Sequence, residues 1–260
     1  MNWIEVTALI ASGLMVGFIN TLAGGGTIIS MSLFMFLGLP IDIANGTNRI
    51  AVTLQNIVSS FNFNKHNYLD LKKGLILGIP TIIGSVLGAL VAVDVNIKFF
   101  EISVAIIMLI MLFFILLKPQ TWLNGNPEKQ KKKTTFLQML IFLAIGLYGG
   151  FIHVGVGYFI LAAAVLGSGY DLVKANALKV FIVLLYTPFS LVIFILNNQV
   201  NYTYGLIHAI GNIIGAFIAS QFAVKKGVGF VKWVMVVVIL LTSAHMLGIL
   251  NVKELYHQIF

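Results

Sequence analysis

Residues 17–27 read GFINTLAGGGT, and residues 150–157 read GFIHVGVG. The second stretch echoes the first, and the residues after each one are echoed as well. A glycine cluster (Gly24, Gly25 and Gly26; then Gly155 and Gly157) leads into a short apolar stretch, an aspartate (Asp42, Asp171) and an Ala-Asn pair (Ala44-Asn45, Ala175-Asn176). Further on, Gly74-Leu75-Ile76 matches Gly205-Leu206-Ile207, and Ile82-Ile83-Gly84 matches Ile213-Ile214-Gly215. The offset is 133 residues at the glycines (17 to 150) and 131 from Asn45 onward (45 to 176), so one copy carries a small insertion.

Composition places this repeat in a bilayer. Of 260 residues, 59% are hydrophobic and 9% charged, and the mean hydropathy is +1.01. A soluble domain carries roughly 25% charged residues. Long apolar runs without strict two-residue alternation predict an all-α polytopic membrane protein. The net charge of +8 sits in a few loops, as the positive-inside rule expects, and no nucleic-acid partner follows from it. The absence of cysteine excludes thiol catalysis, disulfides and iron–sulfur ligation. No cleavable signal peptide is expected, because the N-terminus lacks a basic segment and its apolar stretch runs into the repeat motif.

Five helical segments are predicted per half. They are 3–22, 27–37, 42–62, 71–93 and 97–117, then 136–152, 158–166, 171–196, 202–224 and 229–250. The halves are 1–118 and 134–260, joined by a Pro- and Lys-rich linker, 119–133. A span needs about 20 apolar residues, so the second segment of each half is too short. It forms a re-entrant hairpin with segment one, completes one broken helix with it, or makes a short span covered by neighbours. Loop charge favours hairpins or short spans. The linker region carries Lys118, Lys129, Lys131, Lys132 and Lys133 against Glu128, which makes it cytoplasmic. The loop with Lys65, Lys72 and Lys73 is basic while its repeat mate, Asn197 to Asn201, is uncharged. The loop with Lys225, Lys226 and Lys232 is basic while its mate around Asp94 and Lys98 is neutral. Equivalent loops thus fall on opposite sides. That is the pattern of an inverted repeat, with both termini outside and the solute site between the halves.

The candidate site rests on groups that are costly at membrane depth. Gly24–Gly26 and Gly155/Gly157 predict helix breaks, tolerable only beside a cavity or buried in protein. For a lone glycine, close helix packing is an equal explanation. The short segments then open near Thr27 and Tyr158 with free N–H groups and a positive dipole end, which favour an anion. Asp42 and Asp171 read as N-caps, placing Arg49 and Lys179 about two turns into their helices. Snorkelling to the headgroups is the plain alternative for both cations. Against it, each lies near a repeat-matched asparagine (Asn45, Asn176), with Asn48 adjacent to Arg49. No deep carboxylate pairs with them, and two buried cations ask for an anionic ligand. Asn20 and His153 are repeat mates at the breaks. His153 could carry a proton, though packing is the commoner role. Gln55, Tyr158, His208 and Asn212 are polar at depth and line a path or bond across helices. There is no enzyme motif, no metal site and no cofactor motif.

These residues resemble the sulfite exporter TauE/SafE family of membrane transporters. The features that carry the resemblance are GFINTLAGGGT from Gly17 to Thr27, ANGTNR from Ala44 to Arg49, and the weaker second copy GFIHVGVG with ANALK from Ala175 to Lys179. The resemblance covers essentially the whole chain. It implies a multi-pass inner-membrane protein that moves sulfur-containing anions such as sulfite, thiosulfate or sulfonates. Arg49 aligns with Val180 and Asn48 with Lys179, so the two halves do not match in charge position. Expected partners are the anion and the lipid bilayer, and a homodimer is left open. An inside-negative potential of 100 mV favours expelling each negative charge by about 2.3 kcal/mol, which favours export. A passive anion channel is the first alternative, and a membrane-embedded enzyme or assembly subunit the second.

Overall fold

The computed structural model describes residues 1–92, 109, 113 and 124–246. Apart from residues 109 and 113, the expected segment 97–117 lies outside the described residues, as do Asp94, Lys98 and positions 247–250. The described residues are helical, with no strand among them. The first half contains α1 (Trp3–Leu22), α2 (Thr27–Phe36), α3 (Ile41–Lys65) and α4 (Leu71–Val91). The linker contributes the short α5 (Pro127–Lys131). The second half has α6 (Phe136–Phe151), α7 (Val156–Ala162) continuing as a π-turn over Ala163–Gly167, and α8 (Leu172–Leu196). It closes with α9 (Tyr202–Met246), which breaks at Gly227, where φ is 73°.

Local signals set these boundaries. Both first helices open on a capping box, Asn2 with Glu5 and Thr135 with Gln138, which satisfies two orphan N–H groups reciprocally. The turns α3–α4 and α8–α9 are alike: Asn67 and Asn198, 131 residues apart, both take the left-handed conformation (φ 59° and 57°), which asparagine tolerates. Asp171 caps α8 through the N–H groups of Val173 and Lys174, both at 3.0 Å. The expectation that Asp42 caps α3 is corrected. Pro40 is the N-cap and the helix begins at Ile41, so Asp42 lies inside the first turn. Its Oδ2 accepts from Gln199 Nε2 at 3.3 Å.

Each half's first helix packs on the other half's fourth. Gly13 and Gly17 of α1 lie on the backbone of His208 and Asn212 in α9, while Gly146 and Gly150 of α6 lie on Thr81 and Ser85 in α4. A methyl group at any of these positions would overlap a carbonyl oxygen, so the helices meet backbone to backbone. Both pairs run parallel. The registers differ by one turn: Leu143 O meets Gly84, whereas Ile10 O meets Gly211 rather than the sequence match Gly215. Between them, α3 and α8 run antiparallel, Thr53 bonding Thr187 at 3.2 Å and Arg49 bonding Ser190 at 3.0 Å.

Polarity is distributed inside out. Among the described residues three helices are long and apolar enough to cross a bilayer: α1, α4 and α8. Large apolar side chains such as Ile79, Leu87, Val192 and Phe217 point outward. The long α3 instead buries a polar stripe that includes Asn45, Asn48, Arg49, Gln55, Asn56 and Asn62. Polar side chains at membrane depth belong in the interior of a helical bundle. The chain is a multi-pass membrane protein.

Candidate functional site

Both glycine clusters coincide with helix breaks, but the second break is shorter than the sequence suggests: the helix expected to open near Tyr158 opens at Val156, so Gly157 lies in its first turn. α1 ends at Leu22 and α2 starts at Thr27; α6 ends at Phe151 and α7 starts at Val156, with Gly155 in the left-handed conformation (φ 74°). The two breaks meet each other. Gly24 (φ 97°) and its repeat mate Gly157 are so close that a Cβ on Gly24 would lie 2.6 Å from Gly157 Cα. Only glycine accepts both that φ and that approach.

A broken helix exposes carbonyl groups at its C-terminal end, and at this depth no water covers them. The cation of the opposite half does so. Arg49 Nη1 donates to Gly149 O at 2.8 Å and Nη2 to Gly150 O at 2.9 Å, both in the last turn of α6. Nη1 also reaches Ser190 Oγ at 3.0 Å, and the guanidinium stands 5.2 Å from the Phe194 ring centre. Asn45 Nδ2 donates to Phe151 O at 2.9 Å. In the mirrored arrangement, Lys179 Nζ donates to Asn20 O at 2.7 Å and Thr21 O at 2.9 Å, at the end of α1, and to Asn176 Oδ1 at 2.6 Å. Arg49 is 0% and Lys179 2% exposed, so neither side chain snorkels. The dipole at a helix C-terminus favours a cation, which explains how both are held without an acid. The mismatch between Arg49 and Lys179 in the sequence alignment disappears in space, because each reaches the first helix of the opposite half.

Beside the breaks lies a small cavity between the halves, lined by Asn20, Gly24, Gln55, Asn56, His153, Val156, Gly157, Lys179 and Val183. It holds about 10 Å³ of space, enough for about one water molecule. Its ionisable lining groups are Lys179 and His153, and no carboxylate lines it. His153 Nδ1 lies 2.9 Å from Tyr186 Oη.

Of the residues singled out in the sequence, Asn20, Gly24, Gln55, His153, Gly157 and Lys179 line this cavity. The others are not among its lining residues. Gly26 N–H donates to Asn20 Oδ1 at 2.7 Å, and Asn20 Nδ2 lies 3.5 Å from Thr27 Oγ1. Gly25 abuts the Tyr158 ring. Asn176 Nδ2 donates to Leu172 O at 3.0 Å. Asn48 is buried with neither amide atom bonded, and Gln55 Oε1 is also buried without a partner. Sequence reasoning misses Asn56. A signal for it exists: Asn56 lies eight residues past Asn48 on α3, a spacing that shares one helix face. Among the described residues no group of side chains could hold a metal ion.

Comparison with known proteins gives this architecture its class. The family model of sulfite exporter TauE/SafE matches residues 9–246. The probable membrane transporter protein ORF9 of Sinorhizobium sp. is 25% identical over 241 residues, covering 92% of this chain and 91% of that protein. The probable membrane transporter protein YfcA of Escherichia coli K12 is 25% identical over 245 residues, covering 94% and 90%. The probable membrane transporter protein YunE of Bacillus subtilis is 23% identical over 262 residues, covering 92% and 96%. No solved structure matches the chain. The fold and these relatives define a multi-pass membrane transporter. The chain belongs to the sulfite exporter TauE/SafE family.

Proposed function

We propose that this protein is an inverted-repeat secondary transporter that moves a small sulfur-containing anion (sulfite, thiosulfate or a sulfonate) out across the cytoplasmic membrane, and that it is no enzyme. One observation carries the anion reading: the cavity between the halves is lined by one ammonium, Lys179, by the amides of Asn20, Gln55 and Asn56, and by no carboxylate. Inversion is supported by helix direction. α1 and α3 run with α9, and α6 and α8 run with α4, while α3 opposes α8. Repeat-equivalent helices therefore run in opposite senses. The basic linker is taken as cytoplasmic.

The cations tie one group of helices to the other. Arg49 lies eight residues past Ile41 and Lys179 seven past Leu172, about 12 Å and about 10.5 Å along the helix axes. Because α3 and α8 are antiparallel, the two ties lie toward opposite ends of the bundle. The cavity is too small for an oxyanion, so loading requires one tie to loosen while the other holds. Lys179 lines the cavity, so an arriving anion competes with the carbonyls of Asn20 and Thr21 for its ammonium. The asparagine and glutamine amides complete the oxygen contacts. A membrane potential of 100 mV, negative inside, favours anion export by about 2.3 kcal/mol per charge.

Reconstitution in liposomes tests this. Saturable efflux of labelled thiosulfate or sulfite, accelerated by the same anion outside, is expected of a carrier. Linear, non-saturating flux without counterflow indicates a channel, and no flux of any sulfur oxyanion removes the substrate assignment.

A further inference from the structure

A second polar cavity lies far from the breaks, where α4 and α6 both begin. It encloses about 470 Å³ between the start of α4, the linker and the first turns of α6. Five lysines line it (Lys72, Lys73, Lys131, Lys132 and Lys133) against one carboxylate, Asp70. That carboxylate is committed elsewhere. Its Oδ1 caps α4 through Lys73 N–H at 2.9 Å, and its Oδ2 accepts from Tyr170 Oη at 2.6 Å. Burial and this hydrogen bond push the Tyr170 hydroxyl above its ordinary pKa, so it stays a donor. None of the five lysines has an ion pair among the described residues.

A basic loop beside a membrane helix needs no ligand to be explained, since lysines set topology. Three further features point to one. The wall is built rather than loose: Gln130 Nε2 donates to Gly169 O at 2.9 Å and Asn126 N–H to the same oxygen at 2.6 Å. Lys73 is only 7% exposed, and its ammonium donates only to Lys132 O, at 3.3 Å, although it carries three donors. Thr134 Oγ1 is buried with no partner, and the α6 cap uses Thr135 instead. A buried hydroxyl and a buried ammonium short of acceptors, at the start of two helices, ask for a ligand rich in negative oxygens.

We propose that this pocket binds the phosphate headgroup of an anionic phospholipid from the leaflet on the linker side. The apolar surroundings favour a lipid over a free phosphate. Ile76 and Met139 line the cavity, and the outward faces next to it carry Leu75 and Leu140, 49% and 45% exposed. Acyl chains fit along those faces while the phosphate meets the lysines. Five cations against one acid suit a headgroup with two phosphates over one with a single phosphate. The proposal is independent of which solute crosses.

The test is native mass spectrometry of the full chain in detergent with cardiolipin, phosphatidylglycerol or phosphatidylcholine, beside calorimetry with inorganic phosphate. Cardiolipin is expected to bind best and phosphatidylcholine least. Lys131→Gln with Lys133→Gln, both exposed positions, is expected to weaken cardiolipin about thirtyfold. Thr134→Val is expected to weaken it about tenfold, the lower end for one hydrogen bond to a charged acceptor. Equal retention of phosphatidylcholine, or unchanged cardiolipin binding in both variants, overturns the proposal. So does phosphate binding that the lysine variants abolish while cardiolipin retention stays as it was: the pocket then serves a soluble anion.

Discussion

Arg49 of the first half donates to the carbonyl oxygen of Gly149, in the second half, at 2.8 Å, and to its neighbour Gly150 at 2.9 Å. The sequence presents Arg49 as a cation in search of an anion, and the fold supplies backbone carbonyls in its place. Arg49→Gln is therefore expected to destabilise the protein by about 3 kcal/mol, because charged hydrogen bonds are lost and buried carbonyls are left unpaired. Thermal unfolding in detergent measures this, with Arg49→Lys expected to fall between. Wild-type stability in Arg49→Gln would show that the tie contributes nothing to the fold.

Lys179 does the mirrored task but also lines the cavity. Lys179→Gln is expected to weaken sulfite or thiosulfate binding by about 1–3 kcal/mol, roughly 5- to 150-fold. Isothermal calorimetry on the folded variant reads it. Unaltered affinity would place the anion elsewhere.

The contact of Gly24 with Gly157 separates steric from conformational strain. Gly24 and Gly38 both have left-handed φ (97° and 91°), but a Cβ on Gly38 would have nothing within 4 Å, whereas one on Gly24 meets Gly157. Gly38→Ala is expected to cost about 1–2 kcal/mol from φ alone. Gly24→Ala should cost several times more and abolish folded yield. Similar yields and melting temperatures for the two would mean that the breaks can separate freely.

Gly25 faces the Tyr158 ring, and a Cβ at position 25 would stand 2.6 Å from Tyr158 Cε2. Gly25→Ala is expected to displace that ring and slow transport, and Gly25→Ala with Tyr158→Phe to restore little, since the ring itself obstructs. Full recovery in the double variant would assign the obstruction to the hydroxyl alone.

Helix direction makes a topological prediction. Lys65 ends α3 and Asn198 follows α8, which runs the other way. Cysteines at these two positions, in a chain with none of its own, are expected to react with an impermeant reagent from opposite faces of the membrane. Reaction from one face removes the inverted repeat.

The membrane class, the repeat, the two helix breaks and the burial of the polar residues are legible in the sequence alone. Each of these is written locally: apolar runs long enough to span, glycines that cannot continue a helix, Asn-Gly-Thr-Asn-Arg in an otherwise apolar chain. The partners of those residues are not local. Arg49 finds Gly149 a hundred residues away and Lys179 finds Asn20 at 159, and no spacing rule announces that a carbonyl at a helix end will take the place of an anion. The one-turn difference in register between the α1–α9 and α4–α6 pairs is equally hidden. It depends on which glycine row meets which backbone, and close packing between helices from opposite halves decides that. The cavity is a product of the same packing: Gln55 and Asn56 enter it because of how α3 is turned against α8 and the two breaks, which the assembled bundle alone fixes.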